Sequence, residues 1–205
     1  MSSLAQGTFR VHFDQSSYRV SPDGSVAIGV LIDPVPLSGL FSYGMKVVFD
    51  DAFARVESAS AISLPPPLDY NGVQGPGADR LVGSGFAAVK GTVNFELSPG
   101  QAYSGALLAT FNVKNLVGAA GQSYPLSLEL YRTLGPTESV FVTGAGETLD
   151  GQLAFGTTTI DVVPEPRAWF LVLLVIAGSC GKVATVVGAD RSAAAKRTLS
   201  YSTET

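Results

Sequence analysis

Apolar and polar residues alternate with period two along most of the first 163 positions. Clusters of Gly, Pro, Asp and Ser cut the alternation into short runs. The clearest run is 41–50. Phe41, Tyr43, Met45, Val47 and Phe49 share one side of an extended chain, and Ser42, Gly44, Lys46, Val48 and Asp50 take the other. A side-chain period of two marks a strand with one face in a core. Val26, Ile28, Val30 and Ile32 repeat the pattern, as do Leu107, Ala109, Phe111 and Val113, and then Leu126, Leu128 and Leu130. Tyr43, Met45, Val47, Ile28, Val30, Phe111 and Leu128 are therefore expected inside.

Between these runs the chain turns often. Residues 8–20 read as one bent strand or two short ones, broken at 14–17. Ser21-Pro22-Asp23-Gly24 is a turn, and Asp33-Pro34-Val35-Pro36 breaks the next strand. A short strand is expected at 55–58. The Pro- and Gly-rich stretch 65–79 reads as a surface loop. Residues 81–89 and 92–97 read as a strand pair turned at Lys90-Gly91, with Ser98-Pro99-Gly100 as a further turn. Runs at 140–143 and 153–163 complete a set of about nine short strands, which predicts an all-β sandwich over 8–163. There is no helical period before residue 168 and no internal repeat.

The pattern changes at Val163, Pro164, Glu165 and Pro166. Two prolines one residue apart lack N–H groups and have fixed φ, so they end the last strand and set an extended spacer. An apolar run follows at once, carried by Trp169, Phe170, Leu171, Leu173, Leu174 and Ile176, and Arg191, Lys196 and Arg197 lie beyond it. Residues 168–181 are short for a span, which takes about 20 residues. Lys182 costs roughly 2.5–3.5 kcal/mol near a helix centre, and each Leu, Ile, Phe or Val returns about 0.3–0.6. Continuing to residue 189 supplies the length. Residues 164–190 thus read as a spacer and a single hydrophobic helix that spans a membrane, or else as a buried helix or a stray hydrophobic tail. The membrane reading is favoured, because no further sequence would cover so apolar a surface. Residues 191–205 read as a polar, basic, disordered tail.

Composition agrees with this division. The chain has Gly 23 and Pro 12, only 15% charged residues and a mean hydropathy of +0.29, the profile of a turn-rich β protein with an apolar segment. Residues 1–163 hold 8 Lys and Arg against 14 Asp and Glu, a net −6; residues 164–205 hold 5 against 3, a net +2. An acidic body lacks the basic stripe of nucleic-acid binders, so no such partner is expected. Basic residues beyond an apolar run place the tail in the cytoplasm and the large domain outside. Cys180 is the sole cysteine, so no intrachain disulfide forms and the domain rests on its core. Residues 1–6 have neither the basic nor the apolar region of a complete signal peptide, yet Ser3-Leu4-Ala5 has the small-x-small form of a cleavage site. Residues 1–7 read either as the end of a signal peptide that starts upstream or as a disordered start.

The order Pro-Glu-Pro, apolar run, basic end resembles the PEP-CTERM sorting signal of bacterial exoproteins. The resemblance implies that Val163, Pro164, Glu165 and Pro166 form the sorting signal. It makes Trp169, Phe170, Leu171, Leu173, Leu174 and Ile176 the membrane anchor, and Arg191, Lys196 and Arg197 the basic stop. It also implies a processing partner, an exosortase-type membrane transpeptidase that cuts near the motif. Members of that family usually have an unbroken helix and stop soon after an arginine cluster; Lys182 and the longer tail depart from this. Within the body, the alternating run 25–33, the run from Leu40 to Phe49-Asp50-Asp51 and the short run 54–59 together resemble a cohesin-type domain. Residues 107–113 look like that family's penultimate region. Cohesin domains are nine-stranded jelly-roll sandwiches that bind protein partners such as dockerin modules, and the resemblance implies that fold and that role. It carries over no binding-face residue.

Candidate chemistry is sparse. His12 is the only histidine; on a strand it shares a face with Asp14, and Ser16 follows. That spacing suits a convergent triad or simply an exposed strand histidine. One His and one Cys in separate segments make no zinc site. Nucleophile-elbow, phosphate-loop and calcium-loop motifs are lacking, and Gly144-Ala145-Gly146 lacks the third glycine and the helix of a dinucleotide site. Asp23, Asp50 and Asp51 offer at most a structural calcium, otherwise solvated turn carboxylates; no other cofactor is expected. Tyr70, Tyr103, Tyr124 and Tyr131 read as a sugar-stacking platform or as core and rim aromatics. The sequence therefore predicts an exported, non-enzymatic interaction module at the bacterial cell envelope or surface, with a protein or matrix ligand. The alternative is a carbohydrate-binding module for extracellular polysaccharide.

Overall fold

The period-two runs become strands, and the breaks between them carry the chain from one sheet to another. The computed structural model describes residues 9–71, 75–93, 102–116 and 121–163. The strands are β1 (Phe9–Phe13), β2 (Ser17–Val20), β3 (Ser25–Asp33), β4 (Leu40–Val48), β5 (Ala54–Arg55), β6 (Ile62–Ser63), β7 (Tyr70–Asn71) and β8 (Gly75–Pro76). They continue with β9 (Asp79–Gly83), β10 (Phe86–Thr92), β11 (Leu107–Asn115), β12 (Ser123–Leu130), β13 (Val142–Thr143), β14 (Leu153–Phe155) and β15 (Thr157–Val162). A six-stranded sheet runs β14-β1-β3-β11-β5, with β6 also on β11. A seven-stranded sheet runs β2-β15-β12-β4-β10-β9, with β13 also on β4. β7 and β8 form a separate ribbon. The strands outnumber the predicted runs because two-residue bridges are added and because the first and last runs each divide between the sheets.

One core cluster joins both sheets. Tyr43, Met45, Val47, Ile28, Val30, Phe111 and Leu128 are all buried, as the alternation requires. The Tyr43 hydroxyl donates to Leu108 O at 2.5 Å, and its ring packs 5.9 Å from that of Phe141. A buried phenol needs such an acceptor, because an unpaired hydroxyl in a core is costly. Ser42 and Gly44 lie on the predicted polar side of β4 yet are also buried. Ser42 Oγ donates to Val140 O at 3.1 Å, and a Cβ on Gly44 would stand 2.5 Å from Val140 Cγ1.

The break at 14–16 is a crossover: β1 pairs with β3 in one sheet, and β2 pairs with β15 in the other. The Asp14 carboxylate holds it, accepting the Tyr18 hydroxyl and, at 3.0 Å, the Gly29 N–H. The last run crosses in the same way at Gly156, whose N–H donates to Val11 O at 2.8 Å. The first and last runs therefore lie side by side, β1 parallel to β14 and β2 parallel to β15.

Several local expectations are corrected. The hairpin turns at Ser84-Gly85, not at Lys90-Gly91, which lie inside β10. Gly85 has φ +74°, the left-handed conformation that a turn glycine supplies. Gly91 serves a different need: a Cβ there would stand 2.4 Å from Leu68 O. The stretch 65–79 is more than a surface loop. A 3-10 turn at Pro66–Leu68 buries Leu68 completely. Asp69 Oδ1 then accepts Ala78 N–H at 2.9 Å and Arg80 Nη2 at 2.8 Å, while Arg80 Nε donates to Ile62 O at 2.9 Å. The strand expected at 55–58 is limited to Ala54–Arg55. In β11 the pairing with β3 slips between Leu107 and Ala109, so Leu107 turns outward and Leu108 takes the core position. The expected strand segment at 94–97 and the turn at 98–100 lie outside the described residues.

Candidate functional site

The described body does not connect a catalytic constellation. Asp14 is committed to Tyr18 and Gly29, and His12 Nδ1 lies 2.8 Å from Phe13 O; His12, Asp14 and Ser16 are not linked as a triad. Burial, reinforced by the Asp14 carboxylate, pushes ionisation of the Tyr18 phenol far above its ordinary range. Asp50 Oδ1 caps its own turn by accepting Ala52 N–H at 2.9 Å, and Asp51 accepts the Ser84 hydroxyl. Among the described residues no three His, Cys, Asp or Glu side chains group as a metal site would.

The four tyrosines do not make one platform. Tyr124 is a core residue, stacked at 5.8 Å on Phe53, with its hydroxyl on Asn115 Oδ1 at 3.2 Å. Burial pushes its pKa up to about 12. Tyr103 packs against the core and donates to Leu107 O at 2.8 Å. Tyr70 and Tyr131 are partly exposed, the first on β7 and the second just past β12.

One surface equipped for a ligand is the outer face of the seven-stranded sheet. Its rows follow from register. Val48, Phe86 and Gly83 lie side by side across β4, β10 and β9. Lys46, Ala88 and Leu81 form the next row, which Glu129 extends on β12. The Phe86 ring covers Gly83: a Cβ on that glycine would stand 2.3 Å from Phe86 Cε1. Leu81 is 45% exposed. Lys46 Nζ pairs with Glu129 Oε2 at 2.8 Å beside this apolar strip. An open groove of about 360 Å³ at its margin is lined by Lys46, Phe86, Leu130, Tyr131 and Arg132.

The strap 131–152 bounds the face on the other side. Glu138 accepts Lys90 Nζ, Thr133 N–H at 2.6 Å and Leu134 N–H at 2.8 Å. Burial alone would push the Glu138 carboxyl up; the hydrogen bonds from Lys90 and the two amides outweigh it and hold the carboxyl below its ordinary value. Arg132 donates from Nε to Glu138 O and from Nη2 to Asp150 Oδ2, each at 3.0 Å. Asp150 Oδ1 also accepts Phe141 N–H at 2.8 Å. The strap covers Ser42 and Gly44, and in the next row Leu81 and Glu129 are exposed while Ala88 is buried between them.

Sequence reading missed Leu81 and Phe86 as surface residues because it placed the hairpin turn at Lys90-Gly91. With the turn at Ser84-Gly85, Leu81, Phe86 and Ala88 fall on the same side as Lys46. Of the proposed sorting motif, Val163 alone is described: it is 41% exposed, and its N–H donates to Val20 O at 2.9 Å. Pro164, Glu165, Pro166, the anchor residues and the basic stop lie outside the described residues.

No family model and no curated protein matches the chain in sequence. Solved structures match it in fold. The sixth cohesin of Acetivibrio cellulolyticus scaffoldin B, solved in complex with a Cel5 dockerin, is 15% identical; the match covers 77% of this chain and 99% of that one at a TM-score of 0.56. The cohesin OlpA of Clostridium thermocellum, in a type I cohesin–dockerin complex, is 12% identical over 77% of this chain and 100% of that one, with a TM-score of 0.56. The seventh ScaB type I cohesin of Pseudobacteroides cellulosolvens is 13% identical over 78% and 95%, with a TM-score of 0.56. At these identities the likeness is one of fold, and the described body is a cohesin-like β-sandwich.

Proposed function

We propose that this chain is an exported, non-enzymatic protein-binding module that engages its partner through the outer face of the seven-stranded sheet. The observation that carries the reading is the apolar strip of exposed Leu81 and half-buried Phe86 and Val48, rimmed by Lys46, Glu129 and Arg132. An apolar centre with a charged rim is the anatomy of a protein–protein interface. The dockerin complexes of two fold neighbours support a protein ligand. The test measures binding of a panel of dockerin modules, and of soluble polysaccharides, to the wild type and to Phe86→Ala and Lys46→Glu variants. Phe86→Ala should weaken protein binding at least about thirtyfold, the loss of roughly 2 kcal/mol that a central aromatic anchor gives. Unchanged protein affinity in both variants would reject this face. Glycan binding that depends on Phe86 and Tyr131, with no protein bound, would carry the carbohydrate-binding alternative.

The same proposal includes delivery. Val163, Pro164, Glu165 and Pro166 act as a sorting signal read by an exosortase-type enzyme, with the run around Trp169 to Ile176 as a transient membrane anchor. Proline fixes φ and lacks an N–H, which disfavours sheet pairing and suits an extended spacer within reach of a membrane enzyme. Intact-mass analysis of protein released from an exosortase-bearing host should show loss of Tyr201 and Thr205, and Glu165→Ala should reduce release. Equal processing of both proteins would contradict a role for the motif.

A further inference from the structure

We infer that two copies of this chain pair edge to edge through β9, joining their seven-stranded sheets across a two-fold axis at Leu81. The inference rests on strand register and not on the partner-binding reading of the face, and it is tested on the chain with no partner added.

Among the described residues β9 is the outer strand of its sheet and pairs with β10 alone. The two-residue turn Ser84-Gly85 determines the hydrogen-bond phase. Gly83 and Phe86 flank that turn and oppose each other, so they must exchange their own hydrogen bonds, because the adjacent turn residues cannot bond each other. Alternation then makes Leu81–Ala88 and Asp79–Lys90 bonded pairs as well. The N–H and C=O of Arg80 and Val82 consequently point away from β10, toward the open edge. Among the described residues neither main chain has another partner. The edge thus presents two donors and two acceptors about 7 Å apart, the repeat an extended strand matches.

Edges are usually blunted by shortness, proline or projecting charge. The other outer strands follow that rule: β14 has three residues, β2 four, and β5 and β6 two each. β9 has five residues and no proline. Its one long cation, Arg80, is drawn back to Asp69, Ala78 O and Ile62 O and does not project from the edge.

The sequence of β9 selects a second copy as the occupant. In an antiparallel pair centred on Leu81, Arg80 lies opposite Val82 of the second copy and Val82 opposite its Arg80, so all four edge groups on each side are matched. Leu81, 45% exposed in one chain, meets Leu81 of the second copy in a non-hydrogen-bonded pair, where side chains come closest. Asp79 faces Gly83, so no like charges oppose each other. The contact is the same patch on both copies and closes at two. One strand pair buries less than a standard interface, which puts the dissociation constant on the order of 0.1–1 mM.

The test is residue-resolved amide hydrogen exchange on the full-length chain in detergent micelles, at concentrations from well below to well above that range. The Arg80 and Val82 amides should exchange freely when dilute and slow roughly threefold to fivefold when concentrated, while the Leu81 and Gly83 amides, bonded to β10, stay protected throughout. Association through any other segment would not produce this alternation. Leu81→Lys places two cations on the axis and should abolish the concentration dependence, with Asp79 and Gly83 still protected as proof that the fold is intact. Arg80 and Val82 amides that exchange equally fast at every concentration, or that are already protected when dilute, would overturn the inference. So would a concentration dependence that survives Leu81→Lys.

Discussion

Leu108→Ala is expected to lower the free energy of unfolding by about 2–5 kcal/mol, while Leu107→Ala costs about 1 kcal/mol or less. Strict alternation along 107–113 predicts the reverse, because Leu107 shares the phase of Ala109 and Phe111. The bulge between Leu107 and Ala109 shifts that phase by one residue at the start of β11. Leu108 is fully buried and Leu107 is 38% exposed. Leu108 O is also the acceptor for the Tyr43 hydroxyl, so a cavity at Leu108 would loosen a buried hydrogen bond as well as packing. Urea unfolding of the two variants decides the matter. Equal costs would mean that β11 enters the sheet without a bulge.

Asp150→Ala should cost about 3–5 kcal/mol, a large effect for a residue outside any strand. Its side chain is only 11% exposed and serves the strap from three directions: Arg132 Nη2, Val140 N–H and Phe141 N–H. Deletion leaves two buried amides without an acceptor and takes from the Arg132 guanidinium one of its two, and each orphaned buried amide costs roughly 1–3 kcal/mol. Val140 and Phe141 are both fully buried, so the strap cannot swing out to hydrate them without emptying part of the core. Asp150→Asn keeps one acceptor oxygen and should lose roughly half as much, by the same estimate of hydrogen-bond worth. Thermal or urea unfolding reads both variants. A loss below about 1 kcal/mol for Asp150→Ala would show that water replaces the carboxylate.

Three of the long strands were legible because the alternation set which face turns inward. β3, β4 and β12 follow the predicted phase, and the seven residues expected inside are inside. Legibility failed where one residue type serves two purposes. Glycine marks a turn at Gly85 but a close approach of backbones at Gly91, and local sequence does not separate the two. The Pro-rich stretch 65–79 looked solvated, since nothing nearby shows that Arg80 would reach back to Asp69 or that Leu68 would fill the core. The proposed binding face was hidden for a related reason. Leu81 and Phe86 become neighbours of Lys46 only after the hairpin turn is placed, and the strap is held by ion pairs far apart in sequence, such as Lys90 with Glu138.

The pairing of the first run with the last has a consequence for the order in which this chain acquires structure during synthesis. Among the described residues β2 has no sheet partner except β15, and Thr158 Oγ1 donates to Gln15 O at 3.0 Å across most of the body. A nascent chain that lacks residues 153–162 leaves β2 unpaired and opens the core on that side. Contacts of such long range form late, because the loop they close must be ordered first. The polypeptide emerging from the ribosome therefore stays unlocked until its final strand is made. The export proposed above would gain from that delay, since a chain threaded extended through a narrow channel must not close its fold before the whole body is ready to pass.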